Sequence, residues 1–443
     1  METNVGDRLT RHGAVRSRQA AGVAALIMVV YVLLAYGAYS TFTSRIPSGN
    51  DFFPRWYGTR ALILEGRDPY SYQVTSEIQR AMYGRLARQD EDQVAFAYPL
   101  YVSFFVLPFA LLPYPVAQAC WLSALILVAL AALILMLRTL DWHPSAAGLL
   151  GLGLWVVLFY PTARSLVLGQ LSIVVLALVA LVLWAMHRGN PYVAGCSLAL
   201  STVKPQMIFL IVPFLLLWAW AEGRRRTVFS FLLTMAVLLM VTSVILPTWI
   251  PSFLSGLASY ESYTSIYREG LSPLGVLISY LLPASITATI TALVSAGLVA
   301  YILYAWINSL RRARIRCRVL LLTLIVTLLL PAQTGTTNQV LLLAPILYWL
   351  ARPSIAGAAK GAVGTLLVVG PWLLFLLTFA LRDGENAIMS IPLPLAAIGL
   401  LWWTESSTER GQKRSLEESP ALVSEHQGCR AYHGSDPQEK PHP

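Results

Sequence analysis

Apolar runs recur along almost the whole chain, separated by short polar or basic stretches. Residues 20–39, 166–184, 227–246, 286–307 and 362–381 are the clearest of them. About 20 apolar residues are what a helix needs to cross a hydrocarbon core of roughly 30 Å. The runs are continuous, unlike the roughly ten-residue alternation of a membrane β-barrel. Backbone polar groups in lipid must be satisfied within the segment. The pattern therefore predicts an all-α, polytopic membrane bundle of about twelve helices.

The longest polar interruption, residues 41–93, follows the first span. Loops of this length are generally functional. Within it Phe53, Tyr57, Ala61 and Leu64 recur at helical spacing, joined by Phe52, Trp56 and Ile63, while Arg55, Thr59 and Arg60 take other positions. That spacing predicts a short helix lying on the outer membrane surface. Gly66 and Asp68-Pro69 end it.

From Val94 to Leu137 there is no charged residue. A single helix over that stretch would be about 66 Å long, too long for one crossing. Pro108, Pro113 and Pro115 divide it. The first part, residues 98–112, is either a short span or a re-entrant helix. Re-entry puts Arg138 and His187-Arg188 inside, and Arg164 and Lys204 outside. A full span swaps the first three and makes residues 191–220 one long helix with Lys204 inside the bilayer. The positive-inside rule favours re-entry.

Further along, residues 247–272 form a second outer loop carrying Tyr260, Tyr263 and Tyr267, and residues 333–339 form a small polar outer turn. The organisation expected is a basic cytoplasmic N-terminus (1–19), a membrane domain (20–403) and a disordered cytoplasmic tail (404–443). The basic start followed by an apolar run resembles a secretory signal, but the run is too long for one and further spans follow, so it is read as the first helix.

Composition sharpens this reading. The chain is 56% apolar and 12% charged, with mean hydropathy +0.62, against roughly 25% charged for a soluble domain. One soluble domain with an anchor is excluded. The formal charge of +10 collects at helix ends, in Arg8, Arg11, Arg16 and Arg18, in Arg224–Arg226, and in Arg311, Arg312, Arg314, Arg316 and Arg318. That is a topology signal, not a nucleic-acid face. Cys120, Cys196, Cys317 and Cys429 form no CxxC or His/Cys cluster, so neither a disulfide framework nor a zinc site is indicated. No Walker motif, GxSxG or HExxH occurs, which argues against an ATP-driven pump, a serine hydrolase and a zincin. No cofactor is indicated.

What remains is the first outer loop. It opens Asn50-Asp51-Phe52-Phe53-Pro54-Arg55-Trp56-Tyr57 and continues Glu65-Gly66-Arg67-Asp68-Pro69-Tyr70. An Asp-Phe pair just outside the first helix, an amphipathic stretch with an aromatic pair, then Gly-x-x-Pro-Tyr, resembles the polyprenol-phosphate-mannose-dependent mannosyltransferases of glycosyltransferase family 87, within the membrane class with the GT-C fold. Tyr98-Pro99, Gly169-Gln170, and Gly195 followed by Leu198-Ala199-Leu200 and Lys204-Pro205-Gln206 continue the likeness in order. The late outer turn Gln333–Gln339 lacks the histidine that relatives can carry there, and Glu269-Gly270-Leu271-Ser272 stands where they often show Asn-Gln-Ser.

The resemblance implies a polyprenyl-phosphate-sugar donor, with mannose as the sugar, and a lipid or glycan acceptor on the outer face of the plasma membrane. Membrane lipids are the other partners, and nucleic acid is not one. An acceptor hydroxyl is a poor nucleophile, so a placed carboxylate must take its proton, worth roughly 10²–10⁴-fold. The leaving phosphate already carries charge and needs cations or hydrogen-bond donors rather than an acid. Single displacement inverts the anomeric centre. Asp51 is the candidate base, with a helix N-cap as its structural alternative. Arg55, Lys204 and Arg164 are candidate ligands for the lipid phosphate; Arg55 could instead snorkel to headgroups. Gln170, Gln333 and Asn338 are candidates for sugar or acceptor hydroxyls, or for unsatisfied helix-end carbonyls. Two other readings are carried: a transporter or lipid flippase, against which the lack of a convincing internal repeat counts, and a non-catalytic assembly partner of the same fold.

Overall fold

A computed structural model describes residues 3–46, 48–88, 91–260, 271–312, 316–332, 334–382 and 385–417, and every regular element in them is helical. Among the described residues six helices are long and apolar enough to cross a membrane: Gln19–Thr43, Tyr114–Thr139, Arg225–Ile245, Ala284–Arg311, Gly357–Ala380 and Ala387–Ser406. A seventh candidate is the pair Ala146–Leu158 and Tyr160–Leu168, bent by 61°. Their outer faces expose Leu33, Leu233, Val244, Leu293 and Leu377, as surfaces bathed in lipid tails do. The centre is filled by two shorter segments, Arg316–Leu329 and Leu343–Leu350, where Leu324, Ile325, Ile346, Leu347 and Trp349 are fully buried. The polytopic all-α bundle expected from the sequence is what forms.

Hydrogen bonds between helices fix the course of the chain. Thr43 Oγ1 donates to the Pro115 carbonyl at 2.7 Å, and Tyr31 donates to the Cys120 carbonyl at 3.3 Å. The first span and Tyr114–Thr139 are therefore antiparallel neighbours, and the chain leaves and re-enters the bundle at one end. No net crossing can lie between them. The intervening helical stretch, Leu100–Ala110, has eleven residues, roughly 16 Å. It is a re-entrant element, which resolves the ambiguity over residues 98–112.

The same bookkeeping places the later elements. Trp121 Nε1 donates to the Gly169 carbonyl at 2.8 Å, while His187 Nε2 lies 3.8 Å from Asp141 Oδ1 at the opposite end. Tyr114–Thr139 and Ser172–His187 thus run parallel. Residues 166–184, read as one span, are instead broken. Gly169 adopts φ +69° and ends Tyr160–Leu168 before Ser172–His187 begins. A Cβ there would sit 2.6 Å from that of Phe52, so glycine is needed for both space and backbone.

Pro191–Ser201 rises beside Arg225–Ile245 in the same direction. Ser230 Oγ donates to the Tyr192 carbonyl at 3.0 Å, and Thr202 Oγ1 lies 3.5 Å from Met235 Sδ. Gly195 allows the approach, since a Cβ on it would stand 2.4 Å from the Thr227 carbonyl oxygen. The chain then breaks around the 3₁₀ turn Pro205–Met207 and returns as Ile211–Ala221. Two eleven-residue arms of roughly 16 Å each cannot cross. They form a hairpin that enters from the arginine-rich end and turns round within the bundle, with Lys204 at its tip.

The first loop is more buried than its pattern suggests. Its helix, Phe53–Glu65, ends at left-handed Gly66 as predicted and packs into the protein. Trp56, Thr59, Ala61 and Leu62 are buried. Trp56 Nε1 donates to the Phe109 carbonyl at 3.1 Å, and Arg60 to that of Ala110 at 2.9 Å, so the helix sits on the re-entrant element. A second helix, Tyr72–Tyr83, capped by Ser71 and ended by Gly84, covers its other side through Val74 and Ile78. Residues 247–272 contain the helix Trp249–Tyr260, and the last helix continues past Trp403 to Glu417. Glu261, Tyr263, Tyr267, Glu269, Gln333, Cys429 and residues 418–443 lie outside the described residues.

Candidate active site

The site gathers at the end of the bundle where the first loop packs. Asp51 is held there by its backbone. Its N–H and that of Phe52 both donate to the Leu168 carbonyl, at 3.1 and 3.2 Å. Phe52 is fully buried and stacks on Trp121 with ring centroids 5.0 Å apart. The N-cap of the loop helix is Phe52, with no side-chain cap. The Asp51 carboxylate is therefore not spent on capping.

That carboxylate meets Gln170, 119 residues away. Gln170 Nε2 donates to Asp51 Oδ2 at 2.8 Å. Gln170 Oε1 accepts from Lys204 Nζ at 2.8 Å and from the Tyr98 hydroxyl at 3.4 Å. Lys204 also donates to Ser172 Oγ at 2.7 Å, and Ser172 donates to Asn338 Oδ1 at 3.2 Å. The ammonium fixes which way the Gln170 amide points, because it can only donate. The amide nitrogen is thereby turned to Asp51.

Burial differs along this chain of contacts. Lys204 is 3% exposed and Asp51's side chain 26%. A buried charge needs compensation, and Asp51 supplies it one amide away. The carboxylate stays open to an incoming hydroxyl while the ammonium does not.

Arg55 lies one turn on from Asp51. Its Nη1 donates to the Asp51 carbonyl at 2.6 Å and stands 3.7 Å from Oδ1, and its guanidinium lies 4.3 Å from the centroid of the buried Tyr98 ring. It is packed against protein instead of snorkelling to headgroups. Tyr70 donates to the Tyr98 carbonyl at 2.6 Å, which ties the Gly-x-x-Pro-Tyr motif to the same point.

Arg164 stands in a neighbouring cluster. It pairs with Glu385 at 3.2 Å, and the other Glu385 oxygen accepts from Thr336. Ser165 donates to the Thr337 carbonyl at 3.2 Å, linking this cluster to the turn that carries Asn338. Asp51, Arg55, Gln170, Lys204 and Asn338 are thus one connected group, with Arg164 beside it; Gln333 lies outside the described residues. Tyr98, Ser172 and Glu385 were missed as members. Tyr98 carried a signal as the opening of the re-entrant segment; Ser172 and Glu385 carried none. Among the described residues, no three His, Cys, Asp or Glu side chains gather as a metal site would require.

The model of glycosyltransferase family 87 matches residues 96–331, more than half of the chain. No curated protein and no solved structure matches.

Proposed function

This chain belongs to glycosyltransferase family 87 and is a membrane glycosyltransferase, and from that premise we propose that it moves mannose from a polyprenyl-phosphate carrier to a lipid or glycan acceptor, with inversion. The observation that carries the proposal is the Asp51–Gln170–Lys204 chain. It sets one accessible carboxylate and one buried cation within a single amide of each other, which is the minimum the reaction needs.

In this reading the acceptor hydroxyl attacks the anomeric carbon while Asp51 takes its proton. The bond from that carbon to the phosphate oxygen breaks, and the carrier leaves as a lipid phosphate. Arg55 and Lys204 offset the negative charge that grows there. Gln170 holds Asp51 in place, and Asn338 acts through Ser172 to hold Lys204. Arg164, already paired with Glu385, serves the phosphate less directly. The arginine-rich clusters lie at the opposite end of the bundle, and the positive-inside rule assigns that end to the cytoplasm. The site then faces outward, where a polyprenyl-phosphate-sugar can be used without a nucleotide.

The test is transfer in proteoliposomes holding the purified protein, polyprenyl-phosphate-[14C]mannose and a mixed lipid and glycan extract. A labelled product with the inverted anomer is expected. Absence of product with mannose and with other polyprenyl-phosphate sugars would overturn the proposal and favour transport or a non-catalytic role.

A further inference from the structure

Arg164 and Glu385 border the Asp51 centre. Arg164 stands one helical turn, about 6 Å, before Leu168, whose carbonyl holds the Asp51 backbone N–H. Its neighbour Ser165 donates to the Thr337 carbonyl, and the next residue of that turn, Asn338, leads through Ser172 to Lys204.

The Glu385 side chain is 7% exposed. One of its oxygens accepts from Arg164 Nε at 3.2 Å and the other from the Thr336 hydroxyl. The turn that follows it, Ala387–Ser390, is tied to the turn Thr336–Leu342, where Gln339 Nε2 donates to the Ser390 carbonyl at 2.7 Å. A carboxylate so enclosed, with both oxygens engaged, is an anchor and not a free base. What it anchors is a guanidinium. The Arg164 side chain is 31% exposed, and its two Nη groups make no hydrogen bond among the described residues. Held by its Nε edge, a planar guanidinium presents its remaining N–H donors in one fixed plane. The charge of Glu385 cancels that of Arg164, so the pair draws an anion only weakly. Fixed donors without net charge suit neutral hydroxyls, and the two Nη groups can serve two of them side by side.

We propose that Arg164, positioned by Glu385, binds two neighbouring hydroxyls of a pyranose, carried either by the donor lipid or by the acceptor. This role rests on the proposed transfer reaction.

The test uses the full-length protein. Short-chain polyprenyl phosphate and its mannosylated form are titrated separately in detergent, with affinity read by native mass spectrometry. The concentration of the lipid and glycan extract that gives half-maximal transfer is read in proteoliposomes. Wild type is compared with Arg164→Gln and Glu385→Leu. If the hydroxyls are the donor's, wild type prefers the mannosylated lipid by at least about tenfold, and each variant lowers that preference by about tenfold, the loss of one hydrogen bond to a charged group. If they are the acceptor's, the preference is unchanged and the half-maximal extract concentration rises by about tenfold in each variant. Affinity for the bare polyprenyl phosphate is not weakened in either case. Glu385→Gln keeps an acceptor for Arg164 Nε and should restore part of what Glu385→Leu loses, which a merely structural role would not produce in the lipid preference. Equal weakening of both lipids by Arg164→Gln would make Arg164 a phosphate ligand and overturn the proposal, and so would variants that move neither readout. Should Glu385→Leu fail to fold, Arg164→Gln, at a partly exposed position, still decides it. Lipid binding is read without turnover, so a wild type that discriminates the lipids but transfers nothing would defeat the proposed reaction and leave the sugar site standing.

Discussion

Asp51 and Lys204 are held by the same side chain, Gln170, which gives its amide nitrogen to one and its amide oxygen to the other, both at 2.8 Å. The two charged groups come from distant parts of the sequence and from unlike elements, the start of the first loop and the tip of a re-entrant hairpin. One amide makes them a unit.

Gln170→Leu removes both contacts while keeping the volume. Asp51 loses its orienting donor and Lys204 one acceptor. The expected loss in kcat is about 5- to 150-fold, corresponding to roughly 1–3 kcal/mol for buried polar groups left unpaired. Donor KM should change little, because Gln170 positions the carboxylate and does not hold the lipid. A change confined to KM, measured in the transfer assay, would place Gln170 in donor binding instead.

Lys204→Met separates stability from activity. Removing one partner of a buried charged contact destabilises, because the groups it satisfied are left unpaired; here these are Gln170 Oε1 and Ser172 Oγ. Thermal unfolding of the variant in detergent should therefore shift down, while transfer per folded molecule falls by at least about tenfold through loss of a cation where charge develops. A variant that loses stability and keeps activity per folded molecule would make Lys204 purely structural.

Gly169→Ala should damage the site through the backbone. The residue lies at φ +69°, and a Cβ would approach that of Phe52 to 2.6 Å, so the segment carrying Asp51 must move. The expected cost is about 1–3 kcal/mol of stability, with transfer reduced further than stability explains. Gly22→Ala, where a Cβ meets nothing within 4 Å, is the control and should be silent in both measurements.

Acid should loosen the first loop. Glu77 accepts from Arg67 at 2.7 Å and from the Tyr57 hydroxyl at 2.8 Å, and Arg67 foremost holds the Glu77 carboxyl below its ordinary range of about 4.5. A carboxyl whose folded value is depressed stabilises above its unfolded value, and that contribution fades as pH falls through the folded one. Hydrogen exchange in Tyr72–Tyr83, corrected for intrinsic rates, should rise as pH drops below about 4.5. In Arg67→Gln the exchange should already be raised at pH 7 and respond less to acid.

The sequence revealed the individual charged residues more readily than their connections. Asp51 and Lys204 stand out singly, one as a carboxylate after the first span and the other as a charge in an apolar stretch. That Gln170 joins them depends on the break at Gly169 and on the hairpin tip, neither visible in local periodicity. The apolar run over residues 166–184 hides the break because both of its sides are buried alike. The loop helix Phe53–Glu65 was legible, but its burial was not, because the cover comes from Tyr72–Tyr83, and no local pattern says that the apolar face of Val74, Ile78 and Met82 packs on this helix. Glu385 pairs with Arg164 across 221 residues, a contact no pattern along the chain announces. The re-entrant course of residues 98–112 was open on sequence, and the contact of Thr43 with Pro115 decides it.

The most direct test of the account is the rate of sugar transfer from polyprenyl-phosphate-mannose by Asp51→Asn beside wild type, in proteoliposomes matched for folded protein. The side chain keeps its size and can still meet Gln170, but it cannot take the acceptor's proton. The account predicts a loss of about 10²–10⁴-fold with thermal stability close to wild type. Transfer by Asp51→Asn at the wild-type rate would contradict it and remove Asp51 from the chemistry.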